Sequence, residues 1–136
     1  MQAPAVRTLT LVAAAALGLA LGASGVATAQ EYPQKPIKLV VPFPAGGAVD
    51  IVGRVVAEQL HKSLGQPVLV ENRAGAGGGV GTELVAKAPA DGYTLVVGGN
   101  GALAINKALY GKLSYDPEKD FAPISLLVSG AQVLLV

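Results

Sequence analysis

The chain has no cysteine and no tryptophan, one histidine and one methionine, and only 4% aromatic and 14% charged residues. Without cysteine there is no disulfide framework, no thiolate metal site and no thiol nucleophile. A lipid-anchored lipoprotein, which needs a cysteine at its cleavage point, is excluded as well. A transition-metal site would have to rest on scattered carboxylates, and no pair of them has ligand spacing. The single histidine, His61, sits beside Lys62 late in an amphipathic run and reads as a solvated helix residue rather than a base. No Gly-Lys-Ser/Thr triplet exists, so there is no P-loop. Ser63, Ser114, Ser125 and Ser129 lack the surroundings of a nucleophile elbow. Basic residues do not cluster, which gives no support for nucleic acid or an anionic membrane as partner.

What is present begins with an apolar run. After Arg7 come Leu9 to Leu21, almost wholly apolar, and then the softer GASGVATA, which ends in Ala27-Thr28-Ala29. A basic start, a short apolar core and an A-x-A site describe a secretory signal peptide over residues 1–29, cut after Ala29. An uncleaved membrane anchor is the alternative by length, and Gly18, Gly22, Ser24, Gly25 and Thr28 weaken it. No twin-arginine pair is present, so general secretion is the expected route. Residues 30–136 then carry nine Lys/Arg against nine Asp/Glu. A secreted, disulfide-free chain fits a bacterial periplasm. The C-terminal VLLV, Val133 to Val136, stops inside what reads as a buried strand, and the expectation is a truncated piece of a longer protein.

Periodicity supplies the organisation. Pro36 to Pro42 reads as a first strand and Val49 to Leu64 as a helix, with Val49, Val52, Val55, Val56, Leu60 and Leu64 at three- and four-residue steps. Arg54, Glu58 and Lys62 line its other face, Gly65 closes it and Pro67 prevents its continuation. Pro67 to Glu71 is a second strand, Val80 to Ala88 a helix, Asp91-Gly92 a turn, Tyr93 to Val97 a third strand buried on both faces, and Ala102 to Tyr110 a short helix. Pro123 to Val128 and Gln132 to Val136 look like further strand pieces. The alternation predicts an α/β fold, a parallel sheet with right-handed crossovers and helices on both faces. Ligands gather at the carboxyl ends of such strands. Three glycine-bearing loops leave those ends: FPAGG, NRAGAGGG and GGNG.

The glycine-rich stretch Glu71 to Glu83 suggests a dinucleotide finger, but the spacing fails. From Gly75 the third position is Val80, and from Gly77 it is Thr82, where a glycine or alanine is required. The acid expected after the next strand is replaced by Gly98-Gly99-Asn100. The SYDPEKD run reads as a capped, solvated turn. PFPAGGAVD, Pro42 to Asp50, remains. Asp50 either caps the helix or fixes the loop so that its amides face a ligand carboxylate. Both can hold together.

Three long stretches in fixed order, YPQKPIKLVVPFPAGGAVDIVGRVVAEQL, VENRAGAGGGVGTELVAKAPADGYTLVVG and ALYGKLSYDPEKDFAPISLL, closely resemble the Bug family, the periplasmic solute-binding proteins of tripartite tricarboxylate transporters. The resemblance implies two α/β lobes that close on a ligand in the cleft between them. It implies capture of small carboxylates for a membrane permease, with some members serving sensory partners, by a monomer without cofactor or metal. Family members are about twice as long or more, so residues 30–136 correspond to the N-terminal part, the first lobe up to the crossover. On that reading the chain keeps half of a binding site. Phe43, Pro44, Ala45, Gly46, Gly47 and Asp50 match the family's first carboxylate loop, and Gly99, Asn100 and Gly101 match the loop after the third strand. Asn100 stands where Ser or Thr is frequent. Gly53 stands where Ala is usual, at a helix-propensity cost of about 1 kcal/mol. The rival readings are a non-functional relic of a truncated gene and an enzyme using the glycine loops as an anion cradle.

Overall fold

A computed structural model describes residues 31–130. The expected signal peptide and the strand expected at Gln132 to Val136 lie outside the described residues. The elements are β1 (Ile37–Val41), α1 (Ala48–Leu64), β2 (Val68–Asn72), α2 (Gly79–Ala86), β3 (Thr94–Val96) and α3 (Asn106–Tyr110), the last preceded by a π-helical turn at Gly101–Ile105. The three strands are parallel in the order β2-β1-β3. Ile37 stands opposite Val68, and Leu39 lies between Val70 and Leu95. The expected βαβ alternation is thus present, element by element.

Strand periodicity divides β1 between two layers. Leu39 and Val41 face α1 and join Ala57 and Val97 in a buried cluster, with Val49, Val56, Val68, Val70 and Leu95 packed against it. Pro42, one residue on, lies under Gly81 of α2 on the opposite face. The sheet order explains the two layers. The chain moves from β1 to β2 in one direction and from β2 back across β1 to β3 in the other. Right-handed crossovers of opposite direction deposit their helices on opposite faces.

Two glycines set how closely the helices approach. A Cβ on Gly53 would lie 2.7 Å from Val41 Cγ2 and 3.6 Å from Val97 Cγ2. Its poor helix propensity is therefore tied to the intimate seat of α1 on the sheet. On the other face, a Cβ on Gly81 would lie 2.8 Å from the Arg73 carbonyl oxygen and from Pro42 Cβ. Helix α1 ends as expected, with Gly65 left-handed at φ 70° and its N–H donated to the His61 carbonyl. Before β1, Tyr32 donates its hydroxyl to the Gly92 carbonyl at 2.7 Å, and Lys35 lies 4.2 Å above the Tyr93 ring while pairing with Asp91 at 3.0 Å. These contacts fasten the incoming chain to the start of β3.

Three expectations are corrected. Val55, assigned to the apolar stripe, is 56% exposed. The inward line runs through Asp50, Gly53 and Ala57, residues that a search for large apolar side chains passes over. Strand β3 is half-buried along Thr94–Val96 rather than covered on both faces, because it is an edge of the described sheet. Pro123 to Val128 forms no strand, and Ile124 and Leu126 are each 81% exposed. β-propensity describes fitness for a pleated surface, and no strand is paired with this segment among the described residues.

Replacing Gly81 by Ala tests the close approach of α2. Alanine is the better helix former by about 1 kcal/mol, yet crowding against Pro42 and the Arg73 carbonyl should leave a net destabilisation of roughly 1–3 kcal/mol by urea unfolding. An equally stable or more stable variant would mean that α2 is not held this tightly.

Candidate functional site

The order β2-β1-β3 reverses direction at β1, so the crevice of the sheet opens where the loops after β1 and β3 part. Those loops are FPAGG and GGNG. The side chain of Phe43 joins them. A Cβ on Gly99 would lie 3.4 Å from the ring's Cε2 and Cζ, and one on Gly78 would lie 3.4 Å from Cζ. The ring lies half-buried among all three glycine loops, at ordinary contact distance from Gly78 and Gly99. Above it Pro44, Ala45, Gly46 and Gly47 are exposed, as is Asn100, while Gly99 and Gly101 are half-buried. The predicted ligand residues are therefore gathered at one end of the sheet.

Helix α1 opens at this crevice. Its N-cap is Gly47, which supplies no side-chain cap, so the first-turn N–H groups lack the oxygen that usually takes them. Asp50, expected as the alternative cap, sits one turn in and reaches backward. One oxygen accepts the Gly46 N–H at 2.8 Å and the Arg54 Nε–H at 2.9 Å, and the other accepts the Asn72 amide at 2.8 Å. The same Asn72 nitrogen donates to the Phe43 carbonyl at 3.1 Å, and its oxygen accepts from Arg54 at 3.3 Å. Asp50 is 2% exposed. Asp50 makes no side-chain cap bond at the Gly47 N-cap and instead fastens the loop before the helix. The Gly46 amide turns inward to Asp50 rather than outward, and φ of +82° at Gly46 permits it. The Arg54 guanidinium, then the Gly46 amide and Asn72, hold the Asp50 carboxyl down at about 2, against the opposing effect of burial.

The middle loop has its own architecture. Gly77 (φ 60°, ψ 30°) and Gly78 (φ 92°, ψ −4°) occupy the centre of a type I′ turn closed by Gly79 N–H to the Ala76 carbonyl. Both positions require a positive φ, which accounts for the adjacent glycines without any nucleotide. Thr82, fully buried, donates its hydroxyl to the Gly78 carbonyl at 2.8 Å. The buried Asn106 reaches the Ala76 carbonyl at 3.4 Å, and Tyr115 donates to the Ala102 carbonyl at 2.8 Å inside the π-helical turn. The helical turns that follow GGNG are thereby tied to the middle loop on one side and to the SYDPEKD turn on the other.

Sequence reasoning missed Asn72, Arg54, Asn106 and Tyr115 as members of this framework. The signal for the first pair was present. An Asn-Arg step closes β2, and an Asp and an Arg stand four apart at the head of α1, where side chains share one face. Nothing local marked Asn106 or Tyr115, whose partners lie 30 and 13 residues away. His61 is exposed, with Nδ1 2.9 Å from the Gln66 carbonyl oxygen. The SYDPEKD turn is capped as expected, Asp116 accepting the Glu118 N–H and Asp120 the Asp116 N–H. Among the described residues no group of three or more acids and histidines could hold a metal ion.

The Asp50 network carries a pH signature. Its carboxyl is held at about 2 in the fold against an ordinary 3.8. A depressed carboxyl stabilises the folded state fully above the unfolded value and loses that contribution as pH falls from about 3.8 through about 2. Asp50→Asn should therefore lower the thermal midpoint at neutral pH and flatten the acid limb of a stability–pH curve in that window. An unchanged acid limb in the variant would remove Asp50 from the set of stabilising carboxylates.

Comparison with known proteins places the chain. Residues 52–136, more than half of it, match the TctC family, "Tripartite tricarboxylate transporter family receptor". Protein BugT of Bordetella pertussis is 44% identical over 117 residues, covering 83% of this chain and 36% of the relative. Two solved structures from Rhodopseudomonas palustris superpose on it. MatC (Rpa3494) with bound malate is 45% identical, with a TM-score of 0.67 over 71% of this chain and 33% of its own. Rpa4515 with adipate is 40% identical, with a TM-score of 0.62 over 65% of this chain and 29% of its own. The chain thus spans about a third of the length of the relatives it matches. The expected resemblance to Bug proteins is borne out, and the family is one of receptors rather than enzymes: the chain belongs to the tripartite tricarboxylate transporter receptor family.

Proposed function

We propose that this chain forms the first wall of a cleft that captures a small organic carboxylate for a tripartite transporter in the periplasm. Residues 1–29 act as the export signal, removed after Ala29. Residues 30–136 make up the first lobe, and the second wall comes from sequence corresponding to the remaining two-thirds of the relatives. The receptor works as a monomer and passes its ligand to a membrane permease.

The observation that carries this reading is the meeting of FPAGG and GGNG at the β1/β3 switch point, directly before the uncapped start of α1. Free N–H groups at the start of a 17-residue helix, reinforced by its dipole, suit a carboxylate oxygen. Exposed backbone at Ala45 and Gly47 leaves room for the ligand to approach. Malate and adipate in the two superposed relatives are small dicarboxylates of the class such a site would take. Phe43 and Asp50 serve from beneath, one as the wedge that gathers the loops and the other as the fastener of the first loop. Asn100, exposed beside the crevice, offers a side-chain amide to a ligand oxygen. AGAGGG shapes the floor, its turn amides closed on the carbonyls of Gly75 and Ala76.

Titration of isotopically labelled chain with malate tests this directly. Amide shifts should appear at residues 45–49 and 98–101, with a midpoint in the millimolar range, because a single wall leaves much of the ligand in water. Micromolar saturation would overturn the half-site reading. Shifts confined to other parts of the chain, or none, would overturn the carboxylate site itself.

A further inference from the structure

The head of α1 has an electrostatic problem that the carboxylate reading must solve. Asp50, ionised and buried, stands in the first helical turn, the turn whose N–H groups would receive the ligand. A second anion arriving there meets a like charge, and the helix dipole that would favour the ligand already serves Asp50. Two of the three donors to Asp50, the Gly46 amide and the Asn72 side chain, are neutral dipoles that orient the carboxylate without cancelling its charge. Only Arg54 brings a positive charge, with Nε 2.9 Å from the carboxylate. Among the described residues Arg54 pairs with no other acid. Glu58, one turn further on, pairs with Lys62 at 2.6 Å. Arg54 also reaches Asn72 at 3.3 Å, so the guanidinium braces the residue that holds the Phe43 carbonyl.

Resting on the carboxylate reading above, we propose that Arg54 is a positioning residue for anion capture: it neutralises Asp50 beneath the α1 N-terminus, so that the acid needed to fix the FPAGG loop does not repel the ligand. The pairing separates two duties. Asp50 orders the backbone, and Arg54 makes that order compatible with an anionic guest. The arrangement explains why a carboxylate can stand at the floor of a carboxylate site.

The test is the malate titration repeated on full-chain variants. Arg54→Gln removes the charge and keeps a long polar side chain, and it should weaken malate binding about tenfold, as an uncompensated like charge within one helical turn does in partly screened surroundings. Arg54→Lys should retain binding to within a factor of about three, since an ammonium can still neutralise Asp50. In an Asp50→Asn background, where there is no charge left to neutralise, adding Arg54→Gln should change malate affinity by less than about threefold. Unchanged binding in Arg54→Gln would overturn the proposal. So would a full tenfold loss from Arg54→Gln in the Asp50→Asn background, which would make Arg54 a purely structural brace. If the unmodified chain itself gives no malate response at residues 45–49, the carboxylate reading fails and this proposal falls with it, a result distinct from either outcome above.

Discussion

A buried carboxylate must be satisfied, and Asp50 is the point from which the loops at this end of the sheet are organised. Burying an ionised acid is tolerated only when donors surround it. Here the donors come from three places: the loop after β1, the next turn of α1 and the end of β2. Each is held by the same two oxygens, so the loop that leaves the central strand cannot move independently of its neighbours. Asn72 doubles the tie by also holding the Phe43 carbonyl. The exposed part of FPAGG is thus short and anchored at both ends, the condition for presenting backbone amides in fixed directions.

The second constraint is steric, and glycine supplies it. Gly53 and Gly81 let one helix approach each face of the sheet more closely than a methyl group would allow. The Phe43 ring packs at ordinary contact distance against Gly78 and Gly99, so the three loops share one apolar contact. Close packing of this kind transmits position well because interiors compress little. The loops at the strand ends inherit their places from the layers below, and the type I′ turn at Gly77-Gly78 then seals the middle loop on its own carbonyls.

Much of the architecture was legible in the sequence. The order of elements followed from alternating apolar periods, the end of α1 from Gly65 and Pro67, and the failure of the nucleotide reading from the spacing of Gly75, Gly77 and Val80. The errors have a common origin. Apolar periodicity points Val55 inward because the residues that do face inward, Asp50, Gly53 and Ala57, are polar or small. Pro123 to Val128 has the composition of a strand, but a strand exists only by virtue of its partner. Asn106 and Tyr115 carry no local mark, and only their carbonyl partners in other elements reveal their role.

The sequence by itself determined the local chemistry: where most of the helices and strands form, where the chain can turn left-handed, and that no thiol is available. Those are properties of nearest neighbours along the chain, set by side-chain shape and period. Tertiary structure alone decided the sheet order β2-β1-β3, and with it which two of three similar glycine loops face each other across the crevice. It also decided that Asp50 turns inward to Gly46, Arg54 and Asn72. Hydrogen bonds and burial between residues distant in sequence carry no signature in composition or spacing, so the direction in which a carboxylate points is settled only when the layers meet.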